Sequence, residues 1–277
     1  MYNQKLVYDV GIHNGDDTAY YLGRGYNVIA IEADPVQAGE AGEKFKAFIN
    51  QGRLKILNIG IAPEEGEFDF YINEVHPEWN SFDLSIASRD GLPWHSIKIK
   101  TKTFDSVIKE NGVPYYLKVD IEGNDYLCVQ GLDKNELPKF ISVEGNYVGL
   151  LNELAEKGYK KFKLILQYNF AHLDMPSNKF FKRWLLAYKF RKWNSFPVKV
   201  FRKLGGTNFI KWLDIIAVPS YSKQHLPGMS GNFGEELGGE WHDVEKAVSI
   251  YNYYNDLFQQ LPGKRDYSFW VDVHATW

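Results

Sequence analysis

Short apolar runs alternate with amphipathic segments through the first half of the chain. Runs rich in Val, Ile, Leu and Tyr, bounded by Gly, Pro, Asn and Asp, are typical of buried strands, and the segments between them have helical spacing. Strands are predicted at 6–10, 27–31, 54–59, 68–72, 95–100, 115–119, 140–144 and 160–167. Helices are predicted at 16–24, 36–50, 104–111, 124–132 and 148–157. The alternation predicts an α/β fold in which a mostly parallel, Rossmann-like sheet carries helices on both faces.

A long stretch that is rich in aromatic residues interrupts this alternation before the last apolar run. We therefore predict a core over residues 1–167, an aromatic and partly basic cap or insertion over 168–268, and a closing strand of the core sheet over 269–277. Ligands of such sheets bind beyond the carboxyl ends of the strands, where the strand order reverses. The functional residues are expected at that edge.

Charge is distributed unevenly around a net charge of −3. Residues 151–213 contain 14 Lys and Arg against 3 Asp and Glu, and the rest of the chain is acidic. Within this stretch, a helix over 179–193 would have an aromatic face and a basic remainder. One interpretation is that this helix covers the acceptor cleft and that its basic side chains bind an anionic substrate. Another is that the helix lies on a membrane surface as a peripheral anchor. A solvated helix face is the plainer alternative.

Size and composition indicate an ordinary soluble protein. No apolar run is long enough for a transmembrane segment, and the first strand begins too near Met1 to leave room for a signal peptide. The single cysteine, Cys128, excludes an internal disulfide and a multi-cysteine metal cluster. A cytoplasmic location is expected, with no nucleic-acid partner, and the oligomeric state is left open.

The first strand, loop, helix and second strand carry the most informative pattern. The loop from Asp9 to Gly15 contains two glycines and leads into a helix that begins at about Asp16. Glu32 ends the next strand, where one carboxylate can accept both hydroxyls of a nucleoside ribose. The pattern predicts an adenosine derivative. A turn that needs glycine only for its backbone angles, with Asp16 as helix N-cap, would explain the glycines but not Glu32.

The glycine spacing separates two kinds of nucleoside ligand. A dinucleotide turn needs G-x-G-x-x-G so that the backbone can approach a pyrophosphate, but His13 stands where the middle glycine would be. Asp16 and Asp17 add negative charge, which suits the cation S-adenosylmethionine better than NAD. An S-adenosylmethionine site is predicted. Its expected residues are Asp9, Gly11, His13, Asn14, Gly15, Asp16, Thr18, Glu32, Ala33, Asp34 and Ile61.

Four motifs resemble the FkbM-type family of S-adenosylmethionine-dependent methyltransferases. They are the Asp9–Gly15 loop, the Glu32–Pro35 turn, Thr103-Phe104-Asp105, and the signature Lys118-Val119-Asp120-Ile121-Glu122-Gly123, which is the most specific. The likeness covers roughly residues 5–146. It implies a class I methyltransferase fold and O-methylation, often of sugars or secondary-metabolite hydroxyls. His13, where Asn is more usual, and the long aromatic C-terminal half depart from the family pattern.

Methyl transfer to an alcohol needs an aligned acceptor and a base that removes its proton. Asp120, at the end of the strand beside the donor methyl, is the first predicted base, with Glu122 orienting it and His13 as a further candidate. Alternatively, Asp120 and Glu122 bond the turn and cap the next helix, and His13 only packs over the loop. A metal-assisted variant would use oxygen ligands from Asp120, Glu144 and Asn146, although a divalent cation is not expected.

The sequence therefore predicts an S-adenosylmethionine-dependent O-methyltransferase that acts on a hydroxyl of a sugar, glycoconjugate or secondary metabolite. The acceptor is a small molecule or glycan, and the loop with His76 and Trp79–Ser81 is expected to help to form its pocket. A non-catalytic nucleoside-fold module that docks on a membrane or polyanion is the alternative from another class. An NAD-dependent oxidoreductase is a third, disfavoured by the absent third glycine.

Overall fold

The computed structural model describes residues 2–145, 147–167, 170–176, 196–201, 203–204, 229–260 and 269–277. Its strands are β1 (Asn3–Val10), β2 (Asn27–Glu32), β3 (Leu54–Asn58), β4 (Gly60–Ile61), β5 (Gly66–Asn73), β6 (Trp94–Lys102), β7 (Pro114–Val119), β8 (Phe140–Glu144), β9 (Lys161–Leu166), β10 (Ala171–Leu173) and β11 (Val271–Thr276). Its α-helices are α1 (Asp16–Gly23), α2 (Pro35–Lys44), α3 (Lys46–Asn50), α4 (Leu84–Ala87), α5 (Phe104–Asn111), α6 (Asp125–Gln130), α7 (Gly149–Lys157), α8 (Phe196–Phe201) and α9 (Val244–Gln260).

Eight of the strands form a central sheet in the order β10-β9-β11-β8-β7-β1-β2-β3. Strands β3, β2, β1, β7 and β8 are parallel, and β11 runs antiparallel between β8 and β9. The order reverses at β1, which has β2 on one side and β7 on the other. This is the predicted Rossmann-like α/β fold, and the reversal is where such sheets open a ligand crevice.

Helices cover both faces of the sheet, which explains why the strands are so apolar. The last five residues of β1 are all buried, and they divide between two apolar clusters because successive side chains point to opposite faces. Val7 packs with α1 and α2 on one face, whereas Tyr8 and Val10 pack with α5, α6, α7 and α9 on the other. Cys128 is a buried member of the second cluster.

A three-stranded sheet, β4-β6-β5, accounts for the two strands predicted at 68–72 and 95–100. β5 and β6 are antiparallel, and the connection between them contains α4 and two 3₁₀ turns, at Pro77–Trp79 and Arg89–Gly91. β4 directly follows the end of β3 and pairs with β6. The small sheet therefore brings the β5–β6 connection to the carboxyl edge of the central sheet.

One predicted helix is divided in the structure. The helix predicted at 36–50 is divided into α2 and α3 at Phe45, which has non-helical backbone angles and a buried ring packed against Gly15. The closing strand predicted at the C-terminus is β11, which lies between β8 and β9.

Parts of residues 168–268 pack on the central sheet. β10 extends its edge, and α9 adds Tyr251 and Tyr254 to the apolar core. Residues 229–237 lie against α1. The predicted basic helix over 179–193 lies outside the described residues, and the division into core, cap and closing strand stays a prediction.

Candidate functional site

A cavity of about 640 Å³ lies at the carboxyl ends of the parallel strands, within the size range of small-molecule sites. One wall is the loop after β1 together with the end of β2. The second is β4 and the β5–β6 connection, including Trp79 and Arg89. The third is the turn after β7, together with Glu144 and Trp270. The cavity therefore spans the strand-order reversal.

Gly11 fixes the loop after β1 in place. Its φ is +88°, and a Cβ there would lie 1.8 Å from the carbonyl oxygen of Asp120, so only glycine fits. The Gly11 amide donates to the Ile31 carbonyl at 3.0 Å, and Lys118 Nζ donates to the Gly11 carbonyl at 2.8 Å. The loop is thereby tied to β2 and to β7 at once.

Glu32 is buried at the end of β2, with its carboxylate at the cavity wall. The amide of His13 donates to Oε2 at 3.0 Å, and the amide of Asp34 donates to Oε1 at 2.9 Å. Burial raises the pKa of Glu32 to about 7, although these two amides oppose the shift. Each carboxylate oxygen has two acceptor lone pairs, so one on each oxygen remains for a ligand hydroxyl.

His13 contributes to this arrangement through its backbone. It has a φ of +46°, a left-handed conformation that non-glycine residues adopt at a cost. This explains why a glycine is the ordinary choice at the middle of such a loop. The exposed imidazole lines the cavity.

The predicted donor residues divide into two sets. One set lines the cavity: Gly11, His13, Asn14, Asp16, Glu32, Ala33 and Ile61. The other set lies behind the wall: Asp9, Gly15, Thr18 and Asp34. Thr18 Oγ1 donates to Asp9 at 2.6 Å, and Asp34 accepts from the Val36 amide at 2.8 Å as the cap of α2. The second set shapes the loop. The N-cap of α1 is Gly15 and not Asp16.

Lys118 is a buried cation among carboxylates. Its Nζ lies 3.1 Å from Asp9, 3.8 Å from Asp120 and 3.9 Å from Asp17. Burial lowers the pKa of Lys118, but the charges of Asp9, Asp120 and Asp17 outweigh this effect and hold it above its ordinary value. Lys118 is therefore an ion-pair partner inside the wall.

The turn after β7 is held by Asp125, a residue outside the sequence prediction. Its carboxylate accepts from the amides of Ile121 at 2.9 Å and Gly123 at 3.1 Å. The suggestion that Asp120 and Glu122 make these turn bonds is wrong, because Asp125 makes them. Asp120 and Glu122 both line the cavity instead. A local sequence signal for this role exists, because an Asp that follows a glycine by two residues at the start of a helix commonly accepts hydrogen bonds from the amides of the preceding turn.

Glu122 meets the β5–β6 connection. Arg89 Nη1 lies 3.3 Å from its Oε2, and Ser81 Oγ donates to its backbone carbonyl at 2.6 Å. Burial and, next, the charge of Asp120 raise the pKa of Glu122 to about 7, and Arg89 opposes the shift. The Arg89 guanidinium also lies over the ring of Trp79, at 5.8 Å from its centroid. Sequence reasoning missed Arg89, which has no motif around it.

Glu144 ends β8 at the far side of the cavity. Burial and then the charges of Asp120, Glu122, Asp125 and Asp272 raise its pKa well above the ordinary value. The described residues contain no group of three or more His, Cys, Asp or Glu that could hold a metal ion. Asn146 lies outside them, so the metal set of Asp120, Glu144 and Asn146 stays a prediction. From the predicted acceptor loop, Trp79 and Asn80 line the cavity.

A mostly parallel α/β sheet with an acidic cavity at its strand-order reversal is an architecture that many nucleoside-binding enzymes share. The sequence model of the Methyltransferase FkbM domain matches residues 9–191. Because the match covers more than half of the chain, the chain belongs to the FkbM methyltransferase family. The predicted family, fold and methyltransferase class are confirmed, and the family uses S-adenosylmethionine in general.

Two solved structures are similar at low identity. One is the FkbM methyltransferase from Methylobacillus flagellatus KT, with 14% identity, a TM-score of 0.41, and coverage of 58% of this chain and 40% of that one. The other is precorrin-6y C5,15-methyltransferase from Geobacter metallireducens GS-15, with 14% identity, a TM-score of 0.33, and coverage of 60% and 69%. No curated protein matches the chain. No helix in the described ranges has the length and apolar character that crossing a bilayer requires.

Proposed function

We propose that the chain transfers the methyl group of S-adenosylmethionine to a hydroxyl of a sugar, glycoconjugate or secondary metabolite. The observation that carries the proposal is the Glu32 carboxylate, which two backbone amides hold at the cavity wall with acceptor capacity to spare. Ribose hydroxyls are the groups that such a carboxylate binds at the end of a second parallel strand. Asp16 and Asp120 on the same cavity suit a donor with a cationic sulfonium and amine.

Glu122 is the proposed general base. A base works best when its pKa lies near the working pH, and the pKa of Glu122, about 7, satisfies this condition. Asp120 lies 3.8 Å from Lys118, so its proposed role is to orient the acceptor and complement the sulfonium charge. This reverses the roles expected from the sequence. The His13 imidazole is left as a cavity residue with no assigned proton transfer.

The proposed acceptor is neutral and rich in hydroxyls. Acidic side chains predominate in the cavity, whose lining includes the cations Arg89 and Lys118, and Lys118 is already paired. An anionic acceptor would meet like charge there. Trp79 and Trp270 line the cavity, and aromatic side chains are groups against which sugar rings pack. The expectation of an anionic acceptor came from residues 151–213, many of which lie outside the described ranges.

Membership of a methyltransferase family argues against the NAD-dependent oxidoreductase. Turnover distinguishes the methyltransferase from the non-catalytic binding module, because the module would bind the donor without transferring its methyl group. A cytoplasmic site of action, expected from the single cysteine, stays a prediction.

Methyl transfer from isotope-labelled S-adenosylmethionine tests the proposal. The acceptors are matched neutral, amino and acidic oligosaccharides, and the proteins are the wild type, Glu122→Gln and the surface control Glu67→Gln. We expect label in the neutral acceptor, and turnover lower by about 10² to 10⁴ in Glu122→Gln alone. Donor binding without labelled product in any acceptor would favour the binding module. Label only in acidic acceptors would overturn the acceptor class.

A further inference from the structure

Asp17, in the first turn of α1, is held by a distant part of the chain. Its side chain is buried, and its carboxylate accepts from the backbone amides of Ser230, at 3.0 and 3.1 Å, and of Gly231, at 3.1 Å. Gly231 has a φ of +73°, which aims successive amides at one anion as in a backbone nest. Residues 229–237 are called the strap below.

The strap follows α1 from its first turn to its last. After the Asp17 contact, Asn232 accepts from the hydroxyl of Tyr20, and Glu236 pairs with Arg24. Between these contacts, Phe233 stacks on Tyr116 of β7 with ring centroids 3.8 Å apart. The strap thus joins α1 to the central sheet along the whole length of the helix.

Asp17 also connects the strap to the loop after β1. Its carboxylate lies 3.9 Å from Lys118 Nζ, and that ammonium donates to the Gly11 carbonyl and pairs with Asp9. The path from the strap amides to the Gly11 backbone therefore passes through two buried charged groups. Removing one of them leaves the other imperfectly compensated, which is costly in a buried site.

We propose that the strap is a positioning element of the donor site, and that Asp17 is the positioning residue through which it sets donor affinity. This rests on the proposed function, because the donor is taken to be S-adenosylmethionine. The strap amides fix Asp17, Asp17 and Asp9 fix Lys118, and Lys118 fixes the Gly11 carbonyl at the cavity wall. A segment more than 200 residues from the loop along the chain thereby controls how well the loop fits its ligand.

The test is calorimetric binding of S-adenosylhomocysteine to the full chain and its variants. Asp17→Asn keeps the shape but places an amide group where an oxygen accepts a hydrogen bond, and we expect a Kd about tenfold higher. Gly231→Ala places a side chain at a positive φ and so strains the strap backbone that donates to Asp17. We expect it to raise the Kd about three- to tenfold. The double variant should bind no more weakly than Asp17→Asn, because both changes disrupt the same hydrogen bonds between the Asp17 carboxylate and the strap amides.

Two controls separate positioning from general loss of stability. Lys109→Gln removes an exposed ion pair with Asp105 on α5, and Tyr254→Phe removes a hydroxyl contact from α9 to the Asp174 carbonyl. Both should leave the Kd within twofold. A further readout is steady-state kinetics, where Asp17→Asn should raise the donor KM and leave kcat at saturating donor unchanged.

The outcomes are separable. A wild type that binds no S-adenosylhomocysteine contradicts the proposed function. A wild type that binds, together with unchanged Kd values in Asp17→Asn and Gly231→Ala, contradicts the strap proposal alone. Additive losses in the double variant would also contradict it, because they would make Asp17 act independently of the strap. If Asp17→Asn does not fold, Gly231→Ala against the two controls decides.

Discussion

Arg89 and Glu122 form an ion pair in the lining of the cavity, with 3.3 Å between Nη1 and Oε2. The two residues come from different sheets: Arg89 from the β5–β6 connection and Glu122 from the turn after β7. The small sheet therefore does more than enclose the cavity. It supplies Arg89, the cation that pairs with the proposed base and opposes the rise in its pKa.

Replacing Arg89 by Gln should move the acid limb of the kcat–pH profile to higher pH. Arg89 opposes the rise in the pKa of Glu122, so its loss raises that pKa further above about 7, and the base is deprotonated only at higher pH. Because Arg89 is partly exposed, we expect a shift of about 0.5–1 pH unit. Lys98→Gln, which removes an exposed ion pair on β6, is the control. A profile that does not move in Arg89→Gln would mean that Glu122 is not the base.

Glu122→Gln should stabilise the ligand-free protein above neutral pH. The pKa of Glu122 is raised from 4.5 to about 7 on folding. Its stability contribution is therefore present below pH 4.5 and is lost as pH rises towards 7. Glutamine resembles the protonated form and avoids this loss, which is of the order of 1–3 kcal/mol.

The measurement is Tm of both proteins from pH 5 to pH 8. The variant should gain a few degrees at pH 8, and the gain should shrink towards pH 5. A gain of equal size at every pH would show that packing, and not ionisation, is responsible.

Gly11→Ala should destabilise the fold by about 2–4 kcal/mol and abolish donor binding. The added Cβ would combine a left-handed backbone with a collision against a carbonyl oxygen in the turn after β7, and backbone atoms cannot move away cheaply. Gly52→Ala is the matched control, because Gly52 also has positive φ but a Cβ there meets nothing within 4 Å. Chemical denaturation gives the free energy of unfolding of both variants. The loss in Gly52→Ala measures backbone strain alone, and the additional loss in Gly11→Ala measures the collision. Equal losses in the two variants would contradict the role given to the Gly11–Asp120 contact.

The local pattern of apolar and acidic residues is sufficient to predict the site residues that lie at the ends of strands. Glu32 and Asp120 follow apolar runs, Glu122 belongs to the Lys118–Gly123 signature that resembles the family, and all three line the cavity. Contacts between distant segments could not be predicted in this way. Nothing near Arg89 marks it as a partner of Glu122, and nothing near Ser230 indicates that its amide holds a carboxylate in α1.

The same limit explains the strand order. An apolar run at the C-terminus predicts a strand, but its place between β8 and β9 depends on backbone pairing with residues more than a hundred positions earlier. The division of the helix at 36–50 also has a long-range cause, since the Phe45 ring is buried against Gly15. Periodicity describes each element alone and contains no information about such pairings.

The central claim is that Glu32 binds the donor ribose, and calorimetry of S-adenosylhomocysteine with Glu32→Gln tests it most directly. Glu43→Gln, an exposed change on the neighbouring helix, is the control. The substituted glutamine side chain has one acceptor oxygen and no charge, so we predict a loss of affinity of roughly 1.5–3 kcal/mol, about ten- to a hundredfold in Kd, in a protein that remains folded. The wild type and the control should bind equally well. An unchanged Kd in a folded Glu32→Gln protein would contradict the account.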